Sequence, residues 1–446
     1  MLFCTAVVNA QQSLTLQESI EIALKNNINI KRARNNAISA KAGFAQSKYN
    51  FLPSLSAGAN HRWNEGLNFD TNTGRLVNTT SLGGGGSIDA SLNIFDGFQN
   101  RINVSRNKFL YQSSEEAVKS SIQTTESSVV SSFLQLIVTR ENLKIAQETM
   151  SLLNDQLDVA EKREKSGVAS MEQVYNLKSQ VAQQQLTIVG FQNTLQSSEL
   201  TLMQLLLLDP KDQYIFEGIT INDADLDAEL ASYDEIYNKS LEYSPAIRSS
   251  EFDLEASKRS LKISQFAWMP SLRLSAGMGT GWSSNAFNVL ERDPVTNEAT
   301  RTKVIDLSTQ FEKNVYKSAS LSLGIPLFSR MSNRTQFQQS KIQMFNSELS
   351  LEQAKNTLTN EVQQAYLNLV NARTSYKAAK ESMINLNTSF EFSKTRYENG
   401  TVDFVTYLTS LNGKNRGELQ LVQAKYTILF RQLILDIYTG EMSNQN

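Results

Sequence analysis

The chain has 446 residues, one histidine, one cysteine and a formal net charge of −2. Acids and bases nearly balance, which excludes the basic excess of a nucleic-acid binder. No run approaches the roughly 18 apolar residues of a membrane-spanning helix, yet a β-barrel stays admissible, because alternating strands leave little hydropathy signal.

The N-terminus reads "MLFCTAVVNAQQS". Leu2 to Val8 is apolar, and Val8-Asn9-Ala10 fits a small-residue cleavage site before Gln11, so 1–10 is expected to be a signal-peptide remnant that lacks its basic start. Cys4 lies inside it, so a processed chain holds no cysteine for a disulfide. Residues 11–208 then read as helix, strand, polar loop, strand, long helix, glycine turn and long helix. The strand after Pro53 alternates Leu55, Ala57, Ala59 with Ser54, Ser56, Gly58. The loop spans about 64–86 and ends in "SLGGGGS", a flexible lead without the Lys-Ser/Thr of a phosphate loop. The next strand alternates Ile88, Ala90, Leu92, Ile94 with polar residues. Residues 209–232 form a linker, 233–438 repeat the whole order, and 439–446 are a polar tail. In the second copy the strands are Leu272, Leu274, Ala276, Met278 after Pro270, and Ala319 through Leu327, with a polar loop over about 284–316.

The chain is thus an internal duplication. "SKYNFLPSLSAG" at Ser47 aligns with "SQFAWMPSLRLS" at Ser264, an offset of 217 residues. "NRINVSRN" at Asn100 aligns with "NRTQFQQS" at Asn333, and Arg163 and Gly167 with Arg396 and Gly400, all at 233. None of the six prolines falls in 54–209 or 327–446, where proline would break a helix. Seven-residue stripes run through both copies. Leu351, Leu358, Ala365, Ala372, Ala379, Leu386 and Val362, Leu369, Tyr376, Met383, Phe390 mark the second; Val129, Leu136, Leu143, Met150, Leu157 mark the first. Strict sevens point to coiled-coil packing.

Four strands with apolar outer and Ser/Gly-rich inner faces cannot close alone, and an open apolar sheet would aggregate. Three chains would supply twelve strands, enough for an open bore. The expected fold is mostly α within an α+β class: long coiled-coil hairpins forming an α-barrel, with four strands per protomer joining a trimeric twelve-stranded transmembrane β-barrel.

The two-fold repeat, the "FLP" and "WMP" helix–strand junctions, the "NR" helix starts and the two Arg-x-x-x-Gly turns together resemble the TolC-like outer-membrane efflux proteins over essentially the whole mature chain. The resemblance implies a homotrimeric export duct in the outer membrane of a Gram-negative bacterium, among outer-membrane lipids, with a periplasmic helical domain. It implies a belt that takes in 209–232. It also implies a periplasmic adaptor as partner and, beyond it, an inner-membrane transporter of RND, ABC or MFS type. The implied adaptor-docking turns are Gly167-Val168-Ala169 and Gly400-Thr401-Val402. A periplasmic gate is implied beside them. There the chain departs from the family pattern: Thr406 and Thr409 stand where acids are expected after the second turn, Gln173 where one is expected after the first, and Val402 where a base is expected. Tyr397 is retained; Arg163, Arg396, Glu172 and Asp403 are the charged candidates nearby. Tyr397 also continues a seven-residue stripe, so packing is the competing role.

No enzyme or cofactor is expected: there is no nucleophile motif. His61 has no ligand cluster around it. "DADLD" at Asp223 to Asp227 starts like a calcium loop but has Ala228 at the glycine position and Asp234 in place of the closing glutamate. Trp63 and Trp282 are read as interface aromatics near strand ends. The alternative function is an exported coiled-coil scaffold without a pore.

Overall fold

The computed structural model describes residues 12–441 except 71–74, 169, 210, 212–213, 220, 222–225, 227–229 and 297–298. The candidate leader with Cys4, the acids Asp223, Asp225 and Asp227, and Ala169 therefore lie outside the described residues. In chain order the elements are β1 (Gln12–Leu14), α1 (Leu16–Asn26), α2 (Ile28–Tyr49), β2 (Ser54–Asp70), β3 (Arg75–Phe95), α3 (Gln99–Lys165), α4 (Met171–Leu206) and β4 (Tyr214–Phe216). They continue with α5 (Tyr233–Tyr243), α6 (Pro245–Gln265), β5 (Ser271–Ser283), β6 (Phe287–Arg292), β7 (Ala299–Val304), α7 (Leu307–Lys313), β8 (Tyr316–Gly324), α8 (Ser332–Glu398) and α9 (Phe404–Thr439).

The duplication reaches single residues. α3 and α8 are both 67 residues long, about 100 Å at 1.5 Å per residue. α4 and α9 are both 36 residues long, and all four pairs of helix ends are displaced by 233. The left-handed residues repeat as well: Gly97 with Arg330, Phe98 with Met331, Gly167 with Gly400, Leu207 with Gly440. A left-handed non-glycine residue costs about 1–2 kcal/mol, so the two strand-to-helix reversals impose this backbone even on Phe98, Arg330 and Met331. Among the described residues, Gly66 (φ 137°) alone has no such twin.

The chain forms two compact units, each drawn from both copies. The first comprises 1–38, 112–252 and 349–446. There α1 starts on a capping box, Thr15-x-x-Glu18: Thr15 Oγ1 accepts from the Glu18 amide, and Glu18 Oε2 accepts from the Thr15 amide at 2.8 Å. One core joins Val129, Phe133 and Leu136 to Leu202, Leu206, Phe216 and Phe430. A second joins Val362, Leu369 and Tyr376 to Ile428, Leu435 and Ile236. The α8 stripes are buried at Leu358, Ala365, Ala372, Val362, Leu369, Tyr376 and Phe390 and half-buried at Leu351, Ala379, Met383 and Leu386. The α3 stripe needs correction. Val129 and Leu136 are buried, but Leu143, Met150 and Leu157 are half-buried, and Ala146, Leu153 and Ala160 take over. The step stays seven but shifts by three residues, the drift expected where a 3.6-residue helix is not held to one seam.

The second unit comprises 39–111 and 253–348. Its sheet has the order β2-β3-β5-β8, antiparallel throughout. One face carries the row Leu92, Leu274, Leu321, the other the row Ser54, Ser91, Ser275, Ser320. Ser54 and Ser91 hydroxyls meet at 2.9 Å. Both β2 and β5 begin immediately after a proline, Pro53 and Pro270, whose missing N–H suits a strand start.

The two expected polar loops are mostly structured. β2 runs on to Asp70 and β3 starts at Arg75, so 64–86 is largely a hairpin and Trp63 sits mid-strand. The glycine run is strand too. A Cβ on Gly84 would lie 2.6 Å from the Asn60 carbonyl oxygen and 2.9 Å from Trp282 Nε1. His61 and Trp282 stack across it at 5.6 Å. Glycine here admits a close approach and an aromatic cover instead of flexibility. The 284–316 segment holds β6, β7 and α7. β5 extends past its pairing with β8, which ends at Gly279 and Tyr316. Side chains of α7 and its end take over that edge: Gln310 Oε1 accepts from the Ser283 amide at 2.8 Å, and Asn314 donates to the Gly281 carbonyl at 2.6 Å. β8 stops at Gly324, short of Ile325 and Leu327, because Pro326 offers no ladder N–H.

Candidate functional site: the two hairpin turns

Both turns end their first helix in the same way. The Gly167 amide donates to the Glu164 carbonyl at 2.8 Å and the Val168 amide to the Arg163 carbonyl at 2.9 Å. The Gly400 amide donates to the Tyr397 carbonyl at 3.0 Å and the Thr401 amide to the Arg396 carbonyl at 2.8 Å. With φ of 74° and 69° at the glycines, these are Schellman stops, in which a left-handed residue satisfies the last carbonyls of a helix. Arg163 and Arg396 thus serve the turn through their backbones, and Thr401 Oγ1 adds a second bond to the Arg396 carbonyl at 3.0 Å.

The next helices start on twin caps 233 residues apart. Ser170 Oγ accepts from the Gln173 amide at 3.3 Å, and Asp403 Oδ1 accepts from the Thr406 amide at 2.7 Å. The Thr406 backbone and side chain hold the Asp403 carboxyl below its ordinary value of 3.8. Asp403 is therefore engaged as a cap. Glu172 lies exposed in the first turn of α4, where a negative charge suits the helix dipole. Thr406 and Thr409 are both exposed, and Thr409 bonds back to the Val405 carbonyl within its own helix. Gln173 and Val402 are half-buried.

What gathers at this end is aromatic. Tyr397 stacks on Tyr407 at 5.0 Å and lies 5.8 Å from Phe404; Phe390 lies 6.0 Å from Tyr407. Leu153, Ala160, Val174 and Leu177 of the first hairpin join the same core. The Arg163 guanidinium stands 6.0 Å over the Tyr397 ring, joining α3 to the second turn. Ser393 and Ser410 hydroxyls bond at 2.8 Å between α8 and α9. Tyr407 is fully buried and its hydroxyl has no hydrogen-bond partner among the described residues; burial, with neighbouring Tyr397, Glu398 and Glu391, pushes its pKa up to about 12. The structure thus brings Arg163 and Tyr397 together, leaves Thr406, Thr409 and Glu172 at the surface, and gives Asp403 a local partner. Phe404 and Tyr407 were missed by sequence reasoning, although their spacing of three and the Phe390–Tyr397 spacing of seven carry the signal.

His61 is part of an aromatic stack, and among the described residues no group of three His, Cys, Asp or Glu side chains is placed to hold a metal. Among the same residues no helix is long and apolar enough to cross a membrane.

A model of the outer membrane efflux protein family matches residues 19–206 and 236–441. Protein CyaE of Bordetella pertussis is 23% identical over 401 residues, 89% of this chain and 78% of the relative. Toxin and drug export protein A of Aggregatibacter actinomycetemcomitans is 19% identical over 332 residues, 71% of this chain and 65% of the relative. The CmeC outer membrane channel of Campylobacter jejuni superposes with a TM-score of 0.78 at 16% identity, covering 95% of this chain and 85% of that one.

Proposed function

This chain belongs to the outer membrane efflux protein family, and on that premise we propose that three copies join into one export duct whose hairpin turns meet a periplasmic adaptor. It is a transport protein of the outer membrane with a periplasmic helical domain. Its family and its fold neighbours are channels, not enzymes.

The observation that carries the trimer is the sheet. Its outer strands β2 and β8 run antiparallel to one another in the sense needed for closure, since four strands alternate in direction. Backbone groups in lipid must all be paired, so a spanning sheet must close. Three such sheets give twelve strands, with the leucine face to lipid and the serine face to the bore. The turns at Gly167 and Gly400 then present the docking and closing surface. Exposed Val168, Met171, Tyr175 and Val405 are apolar contacts available to an adaptor. The aromatic core beneath them holds the second hairpin packed. An inner-membrane transporter, of RND, ABC or MFS type, supplies the energy and chooses the cargo. The name of one relative, Toxin and drug export protein A, favours export of toxins or drugs.

Native mass measurement in detergent tests the assembly: a trimer is expected, and a monomer ends the duct reading. Recovery from a cell without detergent, in a soluble periplasmic fraction, would instead restore the scaffold alternative.

A further inference from the structure

The duplication also sets how two copies meet. β2 and β5 are twins at an offset of 217, each starting after its proline, and β3 and β8 are twins at 233. Within one chain, the second strand of the first copy pairs with the first strand of the second copy, without interruption from Gly83↔Ser283 to Leu92↔Leu274. In a closed ring the second strand of the second copy meets the first strand of the first copy on the next chain. We infer that this seam uses the same register, so that Tyr316 faces Gly66 and Gly324 faces Gly58 of the neighbouring copy. The inference rests on the trimer reading and adds to it the residue-level surface by which one copy recognises the next.

Three observations agree with that register. The faces match. Ser318 and Ser320 meet Asn64 and Arg62 on the polar side, and Leu321 and Leu323 meet His61 and Ala59 on the other. A slip of one residue would invert every one of these.

The charges match as well. Lys317 is the one charged residue of β8, and Glu65 is the one acid between Gly58 and Gly66. The register places them opposite each other. Both are exposed, and neither makes an ion pair in its own chain among the described residues. A slip of two residues would set Lys317 against Trp63 or Leu67. Opposite charges directly across a strand pair stabilise it, by about 0.2–1 kcal/mol.

The shapes match. Tyr316 leans over Gly279 of its own chain, where a Cβ would come 2.6 Å from the tyrosine Oη. Its other neighbour in the proposed seam is again a glycine. That glycine, Gly66, is the left-handed residue without a twin among the described residues, and it falls opposite the start of β8.

Cysteine pairs test this in a Cys4→Ser background. Directly opposed Cβ atoms lie about 4.5–5.5 Å apart and diagonal ones about 7–8 Å, and a disulfide needs the shorter range. Ser318→Cys with Asn64→Cys, and Lys317→Cys with Glu65→Cys, are expected to give covalent trimers. At least one of them should exceed the shifted pairs Ser318→Cys/Arg62→Cys and Ser318→Cys/Gly66→Cys by about tenfold, given that geometry. Native mass measurement of each single variant confirms that it still assembles. Trimers in which a shifted pair links best, or in which no pair links, overturn the register and leave the trimer standing. A monomeric wild type overturns both. Independently, Glu65→Lys and Lys317→Glu should each lower the temperature at which the detergent trimer dissociates, and the double variant should recover it. Additive loss in the double variant counts against the seam.

Discussion

The two hairpin turns share a backbone and differ in their interiors. Both end on a left-handed glycine, both reuse the same two carbonyls, and both restart on a capped helix. Yet where the second hairpin has Phe390, Tyr397, Phe404 and Tyr407, the first has Leu157, Glu164, Met171 and Val174 at the twin positions. Met171 is exposed, whereas Phe404 is buried. Duplication preserved what the chain needs in order to turn; divergence placed a buried cluster of rings and an orphaned hydroxyl in the second hairpin, with Arg163 of the first reaching over to Tyr397. Local geometry is common to both, and the buried aromatic packing belongs to one.

Emptying the aromatic core should break the comparison most severely. Tyr407→Ala is expected to destabilise the helical unit by about 3–5 kcal/mol, the range for a large buried ring. Val174→Ala at the twin position should lose less, since two methyl groups are worth about 0.8 kcal/mol each before the cavity adds to it. Denaturant unfolding of the two variants compares them, and equal losses would remove the asymmetry. Gly167→Ala and Gly400→Ala should each lose about 1–2 kcal/mol, because alanine is strained at positive φ. Here equality is the expected result, read as matched losses of amide protection at the two helix ends. Tyr407→Phe should leave stability unchanged or raise it by about 1 kcal/mol, since a buried hydroxyl without a partner carries a desolvation penalty. A clear loss on that substitution would mean that the hydroxyl finds a partner after all.

The smallest effect is a difference in pH response. The folded Asp403 carboxyl titrates below its ordinary 3.8, so the unfolded chain takes up the proton first. The contribution of this cap is complete above that ordinary value and is lost as pH falls through the folded one. Ser170 has nothing to titrate. Protection of the Thr406 amide should therefore fall below about pH 4, set by the usual aspartate value, while that of Gln173 holds. Asp403→Asn should abolish the difference between the two.

Much of this was legible from the chain. Arg-x-x-x-Gly marked both turns, because only a left-handed stop explains a glycine between two helical stripes. The 233-residue offset located both long helices before any contact was known. The strands were harder. Ser81 to Ser87 reads as a linker by composition, since glycine depresses strand propensity, and only the close approach of Trp282 and the Asn60 carbonyl makes glycine the fitting residue there. The 284–316 segment likewise hid a helix that exists to cover a strand edge, a tertiary reason with no local pattern. At the turns, the aromatic spacing of Phe390 with Tyr397 and of Phe404 with Tyr407 stands in the sequence beside the missing acids. The cap role of Asp403 was legible too, in its position three residues before Thr406.

The matched helix lengths make the hairpins a ruler. Seven residues of helix measure about 10.5 Å, so a heptad removed from α8 alone would draw the second glycine back from the level of the first. Removing one from α8 and one from α9 keeps that hairpin internally aligned but shortens it against its twin. Only four cuts made together, one in each of α3, α4, α8 and α9, keep the two turns level. A viable change of reach is therefore quantised, and it must be entered four times in the same gene.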